Sequence, residues 1–351
     1  MIYYNFRRAK AAQAHGFILV AVVWLLASMT LLVGYIATRV EGLQQQSFVT
    51  EQRRVAELDR LAIESVVLYL ASTRTSSNGG LRTQPFEEEP MSLGFQQASF
   101  FADRGDEIRL DNRPYRVRGG HLLRIQDAGS LVSLMDERYQ ALRAVLEDYK
   151  IPRPEVERLI ATLVDYTDRD DVTSLNGAEK YEYQRQGMLP PTNRFLVSPW
   201  QLYNVMGWPP YLERFPGLLH EVTVTAGGQE NYNTMTPQSV MRRAGDDAAA
   251  KRLLEHRESN SFSSAQAVAN LTGQVRGDPF GMAFVPSRYL RLELTPPLGG
   301  KAEWIGITLT PGSTLSPWEI DFRVPSVTQT EDIDGDFRKA GAFAPPTTLL
   351  K

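Results

Sequence analysis

From Phe17 to Thr38 the chain runs FILVAVVWLLASMTLLVGYIAT, 22 residues without a charged side chain. As a helix rising about 1.5 Å per residue it would span roughly 33 Å, and a bilayer core is about 30 Å thick. The segment before it holds Arg7, Arg8 and Lys10 and no acid. Basic residues resist translocation, so the N-terminus is expected in the cytoplasm and everything beyond Arg39 outside. Gly16-Phe17 opens the apolar run. A secretory signal would place its small residues and its cut after the run. Here the only recognisable cut site precedes it, so the span would be retained. A plain single-span anchor behind a short basic tail has the same layout.

After the span the pattern becomes amphipathic. Leu43, Val55, Leu58, Leu61, Ala62 and Val66 recur near helical spacing among Gln44, Glu51, Arg54 and Glu57. One helix is expected from Phe17 to about Leu70, ended by Ser76-Ser77-Asn78-Gly79-Gly80. Strand patterns at Glu107–Leu110 and Tyr115–Arg118 flank Asp111-Asn112-Arg113-Pro114, which reads as a hairpin turn, and His121–Gln126 is a further strand. Helical patterns follow at Asp136–Tyr149, Pro154–Tyr166, Pro199–Met206, Pro237–Arg243, Asp246–Arg257 and Ser264–Leu271. Several begin at or near Pro, whose missing N–H costs nothing there. Strands return at Tyr289–Leu294, Trp304–Leu309 and Glu319–Arg323. The order is α+β: two parts of a sheet separated by a block of helices. The tail from Pro325 is expected to be flexible.

The block contains LVDYTDRDDVTSLNGAEK from Leu163 to Lys180. Asp165, Asp168, Asp170 and Asp171 repel one another unless solvated or neutralised. With Asn176 and Glu179 they offer the oxygen donors that a hard cation such as Ca²⁺ takes in sets of six to eight. The spacing is not that of an EF-hand, because Val172 and Thr173 stand where an oxygen ligand and Gly are needed. On spacing alone a solvated helix-to-loop junction, with Asp as cap and turn former, is the favoured reading. A second acidic run, Glu331-Asp332-Ile333-Asp334-Gly335-Asp336, also looks calcium-like but lies in the tail and reads as solvated; Glu87-Glu88-Glu89-Pro90 is an acidic patch in a loop-like stretch.

The absence of Cys removes disulfides, thiol nucleophiles and thiolate metal sites. The net charge is −3, and loss of a leader with three basic residues would take it to −6, against a general nucleic-acid footprint. There is no G-x-S-x-G, H-E-x-x-H, G-x-G-x-x-G or phosphate loop. The four His, at 15, 121, 220 and 256, have no metal-like spacing. His121, beside Gly119-Gly120, reads as a surface residue of a turn. Trp200, Trp208, Trp304 and Trp318 read as core or edge aromatics.

Two distant segments carry a family resemblance. The basic leader meeting an apolar helix at Gly16-Phe17 resembles a type IV prepilin or a type II secretion pseudopilin. From Leu163 to Trp208, the D-x-x-D-x-D-D run, Asn176-Gly177-Ala178-Glu179, Tyr181, Tyr183 and Asn193-Arg194-Phe195 resemble the middle of the large minor pseudopilin K. Asn231-Tyr232-Asn233-Thr234 is similar to that family's N-x-N-T segment. The usual Glu five residues after the cut is replaced by Ala21, and pseudopilin K is the member that typically lacks it.

The resemblance implies cleavage by a prepilin peptidase between Gly16 and Phe17, with methylation of the new Phe17 N-terminus. It implies a long helix packed on a pseudopilin-type antiparallel sheet with a large helical domain inserted between strands. The expected organisation is a leader at 1–16, a transmembrane helix at 17–38 and its periplasmic continuation at 39–72. A β domain is built from 73–130 and 280–325, a helical insert spans 131–279, and a tail covers 326–351. The implied role is non-enzymatic: capping the periplasmic pseudopilus and helping to start its assembly, with calcium held by the Asp165–Glu179 loop. Expected partners are other minor pseudopilins, the peptidase, the inner-membrane assembly platform and membrane lipid, with no nucleic acid. The chain would be a single-pass inner-membrane protein with its C-terminal domain in the periplasm. The alternative is a membrane-anchored periplasmic hydrolase using the same acidic loop. A loose resemblance to helix-hairpin-helix DNA binders near Val205-Met206-Gly207 is opposed by the acidic surroundings.

Overall fold

The computed structural model describes residues 15–85, 101–226, 229–273, 281–297, 302–327 and 340–342. It divides into two units, Met1–Leu58 and Asp59–Lys351. Residues 1–14 of the leader and the acidic runs at 87–89 and 331–336 lie outside the described residues.

Helix α1, His15–Thr73, begins in the first unit and ends in the second. In the first unit Ile18, Leu19, Trp24, Leu25, Leu31 and Val33 are all exposed. The uncharged polar residues of the apolar run are satisfied within the helix: the Ser28 and Thr30 hydroxyls donate to the carbonyls of Trp24 and Leu26, each at 2.8 Å. Such bonds let a helix carry Ser and Thr where no water is available. Gly34 and Gly42 do not interrupt the helix. Among the described residues this is the one helix long and apolar enough to cross a membrane.

In the second unit the end of α1 becomes a packing helix. Ile63, Val67 and Leu70, at spacings of four and three, are buried against Leu123, Ile125, Leu292, Ile305 and Ile307. Those residues belong to a six-stranded sheet in the order Gly341–Ala342, Asp111–Arg116, Leu122–Asp127, Tyr289–Thr295, Glu303–Leu309, Trp318–Pro325. Every pair is antiparallel except the first, in which Gly341–Ala342 runs parallel to Tyr115–Arg116. Side chains alternate between faces along each strand. Leu290, Leu292 and Leu294 join the α1 core, whereas Arg291 and Glu293 point the other way. Trp304 likewise leaves the Ile305–Ile307 face and enters the core of the helical insert. A network of Arg60, Glu64, Glu303 and Arg323 ties α1 to the last two strands, with Arg323 bonded to Glu64 at 2.6 Å.

The insert lies in sequence between Leu122–Asp127 and Tyr289–Thr295 and has two cores. The first joins helices Gln140–Asp148, Arg153–Thr167, Lys180–Arg185, Pro209–Arg214 and Leu218–Glu221 with the 3₁₀ turn Pro199–Asn204. Trp208 is fully buried there, its indole N–H donating to the Leu159 carbonyl at 2.9 Å. The second joins Pro237–Ala244, Asp247–Ser259 and Ala265–Thr272. Their N-termini are capped by Thr236, Asp246 and Ser264, whose side chains accept the N–H three residues on.

The segment Asn231-Tyr232-Asn233-Thr234 joins the second core to the sheet. The Asn233 side chain donates to the carbonyls of Phe262 and Phe284 and accepts the Phe262 N–H, all at 2.8–2.9 Å. Thr234 donates to the buried Asp127 carboxylate, which also accepts from Ser287 and the Gly129 N–H. Burial holds Asp127 above the usual carboxylate range, and these donors oppose that shift.

Several expectations are corrected. Asp111–Pro114 is strand rather than turn: Asn112 takes φ +67° and the register slips between Asp111 and Pro114. This irregularity lets turn-type residues stand inside a strand. The hairpin turn is Arg118-Gly119-Gly120, with both glycines at positive φ. His121 is buried rather than on the surface, because its backbone pairs back to Val117 and its Nδ1 lies 3.3 Å from the Arg118 carbonyl. The helix expected from Asp136 starts only at Gln140, since Asp136 accepts the Arg138 N–H in a local turn and Tyr139 is left-handed. Gly341–Ala342, in the expected flexible tail, adds a strand to the sheet.

Candidate metal centre

Helix Arg153–Thr167 is amphipathic, with Val156, Leu159, Ile160 and Leu163 in the first core. The same buried face carries Asp165 in the last turn, with no exposed surface. Asp168 is the C-cap, and Glu179 is the N-cap of Lys180–Arg185, 4% exposed. The end of one helix and the start of the next thus face each other with carboxylates. Asp165, Asp168 and Glu179 each offer an oxygen, all within 4.8 Å of one another.

Asp165 Oδ2 accepts the Ser174 N–H at 3.0 Å. Asp165 Oδ1, Asp168 Oδ1 and both Glu179 oxygens are buried without a hydrogen-bond partner. An unpartnered buried carboxylate oxygen loses its hydration without compensation. The charges respond accordingly. Burial, then the charges of Asp165, Asp168 and Asp171, pushes Glu179 up to about 7. Burial, then Asp170 and Asp165, raises Asp168. A hard cation prefers carboxylate oxygens and would meet one from each of Asp165, Asp168 and Glu179, so the donor set fits Ca²⁺.

The other three residues of the expected ligand set are placed differently. Asp170 is exposed and accepts the Val172 N–H at 2.9 Å. Asp171 accepts from the Asn193 side chain at 2.9 Å. Asn176 is left-handed, at φ +67°, and lines a neighbouring cleft with Arg158 and Arg185. The spacing did not separate inward from outward carboxylates, because that choice is made by the caps.

Three contributions were missed in the sequence. The Ser174 N–H orients Asp165. Gly177 passes so close to Asp165 that a side chain there would collide with it. Asn193, at φ +48°, pins the acidic run by donating to the Asp170 carbonyl as well as to Asp171. An Asn in the left-handed region is a turn signal with a second use as donor, which was the only hint available.

Residues 124–226, which include this centre, match the family model for "Type II secretion system (T2SS), protein K". The match covers 103 of the 351 residues. The matched stretch contains the Leu163–Trp208 segment whose motifs resemble that family. A solved structure, the GspK-GspI-GspJ complex of the type 2 secretion system of enterotoxigenic Escherichia coli, is similar to it. The likeness has 16% identity and a TM-score of 0.49, covering 82% of this chain and 99% of that one. No curated protein matches the chain.

Proposed function

We propose that this chain is a minor pseudopilin of the protein K type, which caps the tip of a periplasmic pseudopilus and helps to start its assembly with other minor pseudopilins. The observation that carries the reading is the match of residues 124–226 to protein K, in a chain that also carries an exposed apolar helix at its N-terminus. The apolar run of α1 is the inner-membrane anchor, and the second unit is periplasmic. A prepilin peptidase cuts between Gly16 and Phe17, and the new Phe17 amine is methylated. The assembly platform and membrane lipid complete the set of partners.

Ala21 supports the terminal position. A carboxylate in the apolar core of a filament is expensive and is retained where it has a partner. A chain with Ala21 offers no acceptor to a neighbour's amine, yet can present its own Phe17 amine to an acid on another chain. One-sided pairing suits the end of a filament.

In the head, Asp165, Asp168 and Glu179 hold calcium. The ion supplies positive charge where three carboxylates meet, fastening the end of helix Arg153–Thr167 to the start of Lys180–Arg185. This is a structural role and no catalytic step is assigned to it.

The test is intact mass and crosslinking of the full chain in its membrane. Cleavage leaves 335 of the 351 residues, the 16-residue leader being lost. Crosslinks from the Phe17 region should reach other minor pseudopilins. A chain that still begins at Met1, or abundant self-crosslinking along a filament, defeats the reading.

A further inference from the structure

We infer that Gly177 is a positioning residue for the cation centre: its missing side chain is the space into which Asp165 turns. The inference rests on the calcium reading of that centre.

Asp165 is entirely buried, so its carboxylate has a fixed seat. One oxygen is held from outside the cluster by the Ser174 N–H. The other, Oδ1, is buried without a hydrogen-bond partner, and Asp165 is one of the three residues of the cluster. The chain folds back over this carboxylate through left-handed Asn176, and the Gly177 N–H closes the turn onto the Ser174 carbonyl at 2.9 Å. A Cβ on Gly177 would stand 2.0 Å from Asp165 Oδ2 and 2.6 Å from its Cγ. No such contact is tolerable, so the Asp165 carboxylate would have to leave the seat it occupies.

The usual reason for glycine does not apply. Gly177 lies outside the left-handed region, so its backbone conformation is open to alanine. What glycine provides is room. The Ser174 N–H and the bare Gly177 Cα act as two jaws on the outer oxygen, and together they aim the inner one at the cation. An alanine there would rotate Asp165 out of the cluster while leaving Asp168 and Glu179 in place. Groups that orient a ligand typically change metal affinity by roughly 10–100-fold when lost.

The experiment is a terbium titration of the full-length chain in detergent, with Ca²⁺ as competitor. Tyr183, close enough to Glu179 and Asp165 to feel both charges, serves as the sensitising donor. Gly177→Ala should weaken binding by roughly 10–100-fold. In an Asp165→Ala background there is no carboxylate to displace, so adding Gly177→Ala should change affinity little. If the single variant fails to fold while the double variant folds, the collision is established directly. If Gly177→Ala leaves affinity intact, weakens it equally in both backgrounds, or prevents folding in both, the proposal is overturned and the cation reading survives. A wild-type chain that binds neither Tb³⁺ nor Ca²⁺ overturns the cation reading and this proposal with it.

Discussion

The Arg291 guanidinium lies 4.5 Å from the centre of the Trp304 ring. Its N–H groups donate to the carbonyls of Leu219, His220 and Val222. A sheet residue therefore supplies donors to carbonyls at the C-terminal end of helix Leu218–Glu221, which have no acceptor role inside the helix. Burial lowers its pKa to about 10, which leaves it charged at neutral pH. Arg291→Met should destabilise the second unit by roughly 2–4 kcal/mol, since buried carbonyls lose their donors. Urea unfolding of the full chain in detergent checks this. A loss below about 0.5 kcal/mol, within the range of an ordinary surface substitution, would show that the seam is not held there.

His220 packs edge-on to the same Trp304, with ring centres 4.8 Å apart. Burial is the main cause of a pKa lowered to about 4, while Glu293 opposes the shift and Arg291 and Arg124 add to it. The unfolded chain takes up this proton near pH 6.5 and the folded chain only near 4. Stability should fall as pH drops through that window, by up to roughly 3 kcal/mol. Glu179 and Asp127, whose pKa values are raised, work in the opposite sense. The informative quantity is therefore the difference between wild type and His220→Gln. The variant should lose less stability between pH 7 and pH 4.5, and parallel profiles would refute the assignment.

Glu179→Gln should have effects of opposite sign with and without calcium. In chelator it removes a buried charge among Asp165 and Asp168, so the melting temperature should rise. In calcium it removes a ligand, so the increment given by RT ln(1 + [L]/Kd) should shrink. Thermal unfolding in EDTA and in millimolar calcium reads both. A lower melting temperature in EDTA would mean that the carboxylate is satisfied without an ion.

Asn233→Ala should cost roughly 2–4 kcal/mol, because a buried carbonyl, a part-buried carbonyl and a buried N–H lose the side chain that pairs with them. Asn233→Asp should cost a similar amount, since it keeps the acceptor but turns both donors into repulsions. Denaturant midpoints decide between this hub role and a solvated loop, in which neither change would matter.

Periodicity made much of the fold legible. The span, α1 to within about three residues of its end, the Tyr289, Trp304 and Glu319 strands and three capped helices follow from apolar spacing and from Thr236, Asp246 and Ser264. What failed was chemistry that depends on partners. Asp111 carries a turn composition, yet it is fixed in a strand by ion pairs with Arg113 and Arg257. His121 has the neighbours of a turn residue and the burial of a core one. At the acidic loop the right segment was visible, and which of its carboxylates turn inward was not. Six oxygen donors have the same one-dimensional spacing whichever way they point. Only the helix ends decide that Asp165 and Glu179 turn in while Asp170 satisfies its own loop.

The pairing of Asp127 with Leu290 joins positions 163 apart in the sequence. During synthesis the Asp111–Asp127 hairpin must wait for the whole helical insert before its neighbour strand exists. Until then the Leu122–Asp127 edge offers open backbone groups to any passing strand. The insert's helices rest on local contacts and can form early. Once collapsed, they shorten the effective loop that the sheet must close, at a chain-entropy cost growing only logarithmically with length. The helical insert then acts as a folding jig, and changes that loosen it should show first as poor yield of the sheet rather than as a weaker finished protein.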